Sequence, residues 1–311
     1  MVRAIEIVEV GPRDGLQNEA KIVSTADKVE LIRRAIAAGA KRIEVASFVN
    51  PKRVPQMADA DEVVAILGKP EGVTRIGLVL NERGAERAIA CGVDQLGAVA
   101  VASDSFGIRN QGQSSAESVA VAQAIIAMGS AAGVAAQVTI AVAFGCPFGE
   151  EVDPDHVVAM AERLASAGPV EIALADTIGV AVPAQVTRLF TALRRALPDV
   201  KLRAHFHNTR NTGIANVWAA VEAGVDTIDA SIGGLGGCPF APGATGNVAT
   251  EDVAYLLARS GVETGLDFER LIDTARWLSG VMGKDMPSML VKAGGFPERD
   301  THDGNRKQRS P

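Results

Sequence analysis

Cysteine is scarce in this chain: 311 residues hold three, Cys91, Cys146 and Cys238. They are too few and too scattered for a disulfide framework, and no C-x-x-C pair suggests zinc, so a reducing cytoplasm fits best. Long apolar runs are missing as well. No stretch approaches the roughly 20 uninterrupted apolar residues of a membrane-crossing helix. The opening MVRAIEIVEV alternates straight into structure, without the apolar region and cleavage site of a secretory leader. Positive charge is in deficit, with 31 Lys and Arg against 37 Asp and Glu for a net charge of −6. That argues against a general nucleic-acid or membrane-surface role, both of which need basic surface. No GxxxxGK[ST] loop exists, and no GxGxxG turn joins a first strand to a helix, so nucleotide cradles are not indicated.

What is present is an ordinary globular composition, 47% hydrophobic and 22% charged, enough for a substantial core. Short β-rich runs alternate with Ala-rich helical runs. The strand candidates are 4–10, 42–48, 75–80, 95–102, 137–144, 170–176, 202–207 and 227–232, eight in all. Between them, segments such as 25–39 and 154–168 repeat apolar residues at three- and four-residue spacing and end on glycine, as crossover helices do. Eight βα units favour a (β/α)8 TIM barrel over a doubly wound open sheet. The chain is therefore expected to form one α/β domain over residues 1–290, with an extra C-terminal helical segment. A polar tail without fixed structure, 291–311, follows it; from 294 onward it is rich in breakers.

In a TIM barrel the chemistry sits where strands end at the C-terminal face. Arg13 and Asp14 follow the first strand, Glu44 and Ser47 lie in and after the second, Asp176 ends the sixth, and His205 and His207 end the seventh. The glycine-rich loop 233–247 carries Cys238 and Asn247. Two of the chain's four histidines at i and i+2 of a strand aim at one point, as metal ligands do, although an isolated HxH often only hydrogen-bonds or faces water. Asp14, His205, His207 and Asn247 together form a mixed O/N donor set for Mg2+ or Mn2+. Taken singly, Asp14 reads equally as a turn or ion-pair residue and Asn247 as a turn residue. Arg13 is either a salt-bridge donor or a guanidinium for an enolate oxygen, with Glu44 its partner in either case. Asp176 is either a helix cap or an orienting group for a histidine or the arginine. Cys238 is either inert packing or a proton donor on a closing loop.

The stretches VEVGPRDGLQNE (8–19), IEVASFVNPKRVPQMAD (43–59), FGCPFG (144–149), DTIG (176–179) and GGLGGCPFAPGATGNVATEDVAYLL (233–257) closely resemble the 3-hydroxy-3-methylglutaryl-CoA lyase family of DRE-TIM metallolyases. The resemblance covers nearly everything but the tail. It implies Mg2+ or Mn2+ on Asp14, His205, His207 and Asn247, catalytic Arg13, supporting Glu44 and a lid cysteine at Cys238. The chemistry it implies is retro-Claisen cleavage of an acyl-CoA thioester to acetoacetate and acetyl-CoA, an oxo-acid-lyase step of leucine catabolism. Either Asp14 or His205 is the base, and a homo-oligomer is compatible with the family.

One segment departs from that pattern. The family reads HCHDTYGQ after the seventh strand, where this chain has HFHNTRNT, with Asn208, Arg210, Asn211 and Thr212 as the new residues. A guanidinium there is either a new carboxylate contact, which would shift the substrate toward citramalyl-CoA, or a surface residue in the first turn of the next helix. A condensing enzyme of the isopropylmalate synthase kind fits less well, because such chains are longer and GGLGGCP belongs to the lyase pattern. A non-catalytic binding barrel leaves the polar groups at the mouth without a purpose.

Overall fold

The computed structural model describes residues 3–149, 151–238 and 241–297. Eight parallel strands follow one another around a closed barrel: β1 (Glu6–Glu9), β2 (Arg42–Ser47), β3 (Thr74–Leu78), β4 (Gln95–Val101), β5 (Ala135–Ala141), β6 (Ile172–Asp176), β7 (Leu202–Phe206) and β8 (Thr227–Ala230). The ring shuts where β1 pairs with β8, from Glu6 opposite Thr227 to Glu9 opposite Ala230. Each of the eight expected runs overlaps one of these strands, with β3 starting one residue and β5 two residues before the expected run. Strands covered by helices outside and side chains inside read as nearly continuous apolar runs, as Ile172, Ala173, Leu174 and Ala175 do in β6.

Helices wrap the outside. Helix Thr25–Ala37 begins at Ser24, whose hydroxyl accepts the Asp27 N–H at 3.1 Å, and it buries Val29, Leu31, Ile32 and Ala35 against the barrel. It stops before Gly39, whose φ of 102° only glycine adopts freely. Helix Pro154–Ala165 starts behind Asp153, which accepts the Asp155 N–H at 2.9 Å. The main core lies between this shell and the strands, with Ile125, Leu164, Phe190 and Leu193 fully buried.

Inside the barrel the N-terminal end is polar. Arg42 on β2 reaches across to Glu171, just before β6, with Nη2 to Oε2 at 2.9 Å, and also donates to Gln95 at 3.1 Å and Glu6 at 2.7 Å. This ion-pair floor leaves the opposite, C-terminal mouth for chemistry. Beyond the barrel, Arg3–Ala4 pairs with Val262–Glu263, and helices Phe268–Met282 and Met289–Ala293 form the C-terminal helical segment. The last helix straddles the expected boundary between 290 and 291, and residues 298–311 of the expected tail lie outside the described residues. Among the described residues no helix is long and apolar enough to cross a membrane.

Candidate active site

After β1 the chain makes a single π-helical turn, Gly11–Gly15, with the N–H groups of Arg13 and Gly15 both reaching back to the Val10 carbonyl, at 3.1 and 3.2 Å. The turn swings Arg13 and Asp14 over the mouth. Arg13 Nε donates to Glu44 Oε2 at 2.7 Å, Nη2 closes on the same oxygen, and Nη1 donates to Asp14 Oδ1 at 2.6 Å. Glu44 is 2% exposed on β2, a carboxylate that burial would penalise without such a partner. Ser47 is buried at the end of the same strand.

His205 lies on β7 and His207 just past its end, with ring centroids 5.1 Å apart. Asn247 arrives on the returning arm of the glycine-rich loop. That arm is stitched to the end of β7, since Asn208 N–H donates to the Gly246 carbonyl at 2.6 Å and Val248 N–H to the Phe206 carbonyl at 3.2 Å. Asn247 Nδ2 then donates to Asp14 Oδ2 at 2.8 Å and to the Leu235 carbonyl at 3.2 Å. Gly236 makes this approach possible: its φ is 129°, and a Cβ there would stand 2.8 Å from Asn247 Nδ2. Cys238 has its backbone in a ribbon in which Gly237–Cys238 pairs with Ala241–Thr245. The Cys238 side chain lies outside the described residues.

An oxygen of Asp14 and one ring nitrogen each of His205 and His207 lie within 4.8 Å of one another. Burial alone would push the Asp14 carboxyl up, but Arg13 foremost, and then the two imidazoles, hold it well below the usual carboxylate range. Burial likewise depresses His205, yet its hydrogen bond to Asp229 and the charges of Asp14 and Asp229 raise it overall. With His205 Nδ1 turned to Asp229 Oδ2 at 3.1 Å, Nε2 is the nitrogen this ring can offer to a cation. With Asn247 Nδ2 committed to two acceptors, its Oδ1 is left as a donor to an ion. One carboxylate, two imidazoles and one amide oxygen fit a divalent cation of the Mg2+ or Mn2+ kind.

Two expectations change. Asp176 spends its oxygens on backbone, accepting the N–H groups of Val180 at 2.9 Å and Ala181 at 3.0 Å, so it shapes the loop leading into helix Pro183–Ala196. Arg210 sits in the loop before helix Gly213–Glu222, not in its first turn, and Nη1 donates to the carbonyls of Ile178 at 2.9 Å and Gly179 at 3.0 Å. It ties the loop after β7 to the loop after β6.

Sequence reasoning passes over Asp229 and Glu9. Asp229 is the lone carboxylate in TIDASI, and only the pairing of β7 with β8 sets it opposite His205. Glu9, 1% exposed, accepts the N–H groups of Gly11 at 2.8 Å and Ile232 at 3.0 Å and the Thr250 hydroxyl at 2.6 Å. It thereby joins the Arg13 turn to the base of the glycine-rich loop. For Asp229 the signal in the sequence is a single acid inside an apolar strand run, the same signal that marks Glu44, whereas Glu9 shares its run with Glu6 and does not stand out in that way.

Residues 4–278 match the HMGL-like family model. The chain is 44% identical over 303 residues to the (R)-citramalyl-CoA lyase of Chloroflexus aurantiacus, covering 94% of this chain and 96% of that protein. The crystal structure of the Bacillus subtilis HMG-CoA lyase superposes with a TM-score of 0.91 at 37% identity, covering 94% of this chain and 98% of that one. An HMG-CoA lyase from Acinetobacter baumannii, solved in complex with coenzyme A and 3-methylmalate, superposes at 0.89 with 38% identity over 97% and 98% of the two chains. The barrel, the mouth cluster and these matches together make this chain a member of the HMGL-like family of lyases.

Proposed function

We propose that this lyase cleaves a tertiary 3-hydroxy-acyl-CoA thioester by a divalent-metal-dependent retro-Claisen reaction, releasing acetyl-CoA and a keto acid. The observation that carries the reading is the convergence of Asp14, His205 and His207 within 4.8 Å, beside a guanidinium fixed by Glu44. A divalent ion held by Asp14, His205, His207 and Asn247 would polarise the substrate's tertiary hydroxyl. The hydroxyl proton passes to a base at the same mouth, the oxygen becomes a keto group, and the C–C bond electrons move into the acetyl-CoA enolate. Arg13 stabilises the enolate oxygen, and Cys238 on the loop returns a proton to carbon. Of the two base candidates, Asp14 is the weaker because Arg13 holds its carboxyl low. His205 serves as base only where Nε2 is not a ligand, so base and ligand are exclusive roles for that nitrogen.

The substrate put first is 3-hydroxy-3-methylglutaryl-CoA, giving acetoacetate and acetyl-CoA as in leucine catabolism. One specific observation favours a second reading, citramalyl-CoA giving pyruvate and acetyl-CoA: the 44% identity with a lyase of that name. The reading also comprises a single lyase domain over 1–290, a cytoplasmic setting in which Cys91 and Cys146 stay free, and a homo-oligomer. The test is to supply both thioesters with Mg2+ or Mn2+, quantify acetyl-CoA, and identify the keto acid. Release of acetyl-CoA from neither thioester would overturn the proposal.

A further inference from the structure

Arg203 is 1% exposed inside the barrel, two residues before His205 on β7 and so on the same, inward face. A guanidinium taken fully out of water persists only beside compensating charge. Its Nη2 donates to the Thr139 hydroxyl at 3.0 Å, and its Nε stands 3.6 Å from Glu171 Oε2 and 3.4 Å from Asp229 Oδ1. The two carboxylates are not equivalent. Glu171 is already served by Arg42 at 2.9 Å and by the Thr227 hydroxyl at 2.6 Å. Among the described residues Asp229 Oδ1 has no hydrogen-bond partner, and Arg203 Nε and Nη1 have none either. Arg203 is therefore the countercharge that Asp229 needs. The other oxygen of Asp229 holds His205 Nδ1 at 3.1 Å.

We infer that Arg203 is a positioning residue for the metal site, acting through Asp229 to fix the ring orientation and tautomer of His205 so that Nε2 faces the ion. The inference rests on the metal reading proposed above and extends it below the mouth, into a column of side chains running from the ion-pair floor upward. Without the guanidinium, Asp229 is a buried carboxylate lacking its countercharge, and its hold on Nδ1 loosens. Partners of this outer kind typically change metal affinity by roughly 10- to 100-fold.

The experiment titrates Mn2+ alone, without substrate, into wild type, Asp229→Asn, Arg203→Met and the double variant, with circular dichroism to establish that each is folded. Asp229→Asn and Arg203→Met are each expected to weaken Mn2+ binding by roughly 10-fold or more. In the Asp229→Asn background, Arg203→Met should add little, since its effect passes through that carboxylate. Wild-type affinity in either folded single variant, or full additivity in the double variant, overturns the inference. Should Arg203→Met fail to fold, the uncharged, hydrogen-bonding Arg203→Gln takes its place under the same criteria. A wild-type protein that binds no Mn2+ overturns the metal reading and this inference with it. Wild-type binding that survives both substitutions overturns this inference alone.

Discussion

Arg13 Nε donates to Glu44 Oε2 at 2.7 Å, and Nη2 closes on the same oxygen. That two-pronged grip fixes the plane of the guanidinium, which a lysine ammonium cannot reproduce. Arg13→Lys is expected to fold with nearly unchanged melting temperature and to lose turnover by roughly 10²-fold or more, the usual cost of removing a donor aimed at a developing oxyanion. Near-normal kcat in the lysine variant would assign Arg13 to a structural ion pair.

The proposed donor set of Asp14, His205, His207 and Asn247 makes metal dependence the next expectation. Exhaustive chelation should abolish turnover, and Mg2+ or Mn2+ should restore it. His207→Ala removes a direct ligand, so its loss in metal affinity should exceed the roughly 10- to 100-fold typical of an outer partner. Full turnover in chelator, or wild-type Mn2+ binding by the alanine variant, counts against the cluster as a metal site.

Much of this arrangement is legible in the sequence because of local rules. Several strand runs follow helices closed by glycine, as at Gly39 and Gly168, and His205 and His207 share a face by the two-residue period of a strand. Asp229, Arg203 and Glu9 escape such reading for a physical reason: each acts across strands. His205 lies opposite Asp229 only through the β7–β8 register, and Glu9 reaches Ile232 and Thr250 from the far end of the sequence. Arg210 is half legible. Its position three residues past His207 leaves both a substrate contact and a surface residue open, and the fold makes it an exposed residue whose guanidinium reaches the backbone carbonyls of a second loop.

Glu251 gives a pH signature of the loop base. It is fully buried, both oxygens accept the Gly233 N–H at 3.1 Å, and burial foremost pushes its carboxyl from the ordinary 4.5 up to about 8. Glu9, on the other side of the same loop base, is pushed by burial to about 7. A folded state that holds these protons more tightly than the unfolded chain is most stable, on their account, below pH 4.5, and loses that contribution as pH rises through about 7 to 8. Melting temperature should therefore fall between about pH 5 and about pH 9, and by less in Glu251→Gln, which keeps one carbonyl acceptor without the ionisation. Parallel melting curves for the two proteins across that range would remove Glu251 from the account.

Arg210 bears on substrate choice, and the structure changes what to expect of it. Selecting a carboxylate would require the guanidinium to leave the Ile178 and Gly179 carbonyls, 2.9 and 3.0 Å away. Each such hydrogen bond contributes about 0.5–1.5 kcal/mol net, so the exchange returns much of what a charge-assisted contact of about 1.5–3 kcal/mol would gain. Arg210→Tyr should consequently loosen both loops and raise KM for 3-hydroxy-3-methylglutaryl-CoA and citramalyl-CoA alike. The ratio of their two kcat/KM values should stay within about twofold, well short of the tenfold that 1.4 kcal/mol of discrimination would produce. A tenfold change in that ratio would show the guanidinium leaving its carbonyls to grip the substrate arm, and would make Arg210 the residue that chooses between the two thioesters.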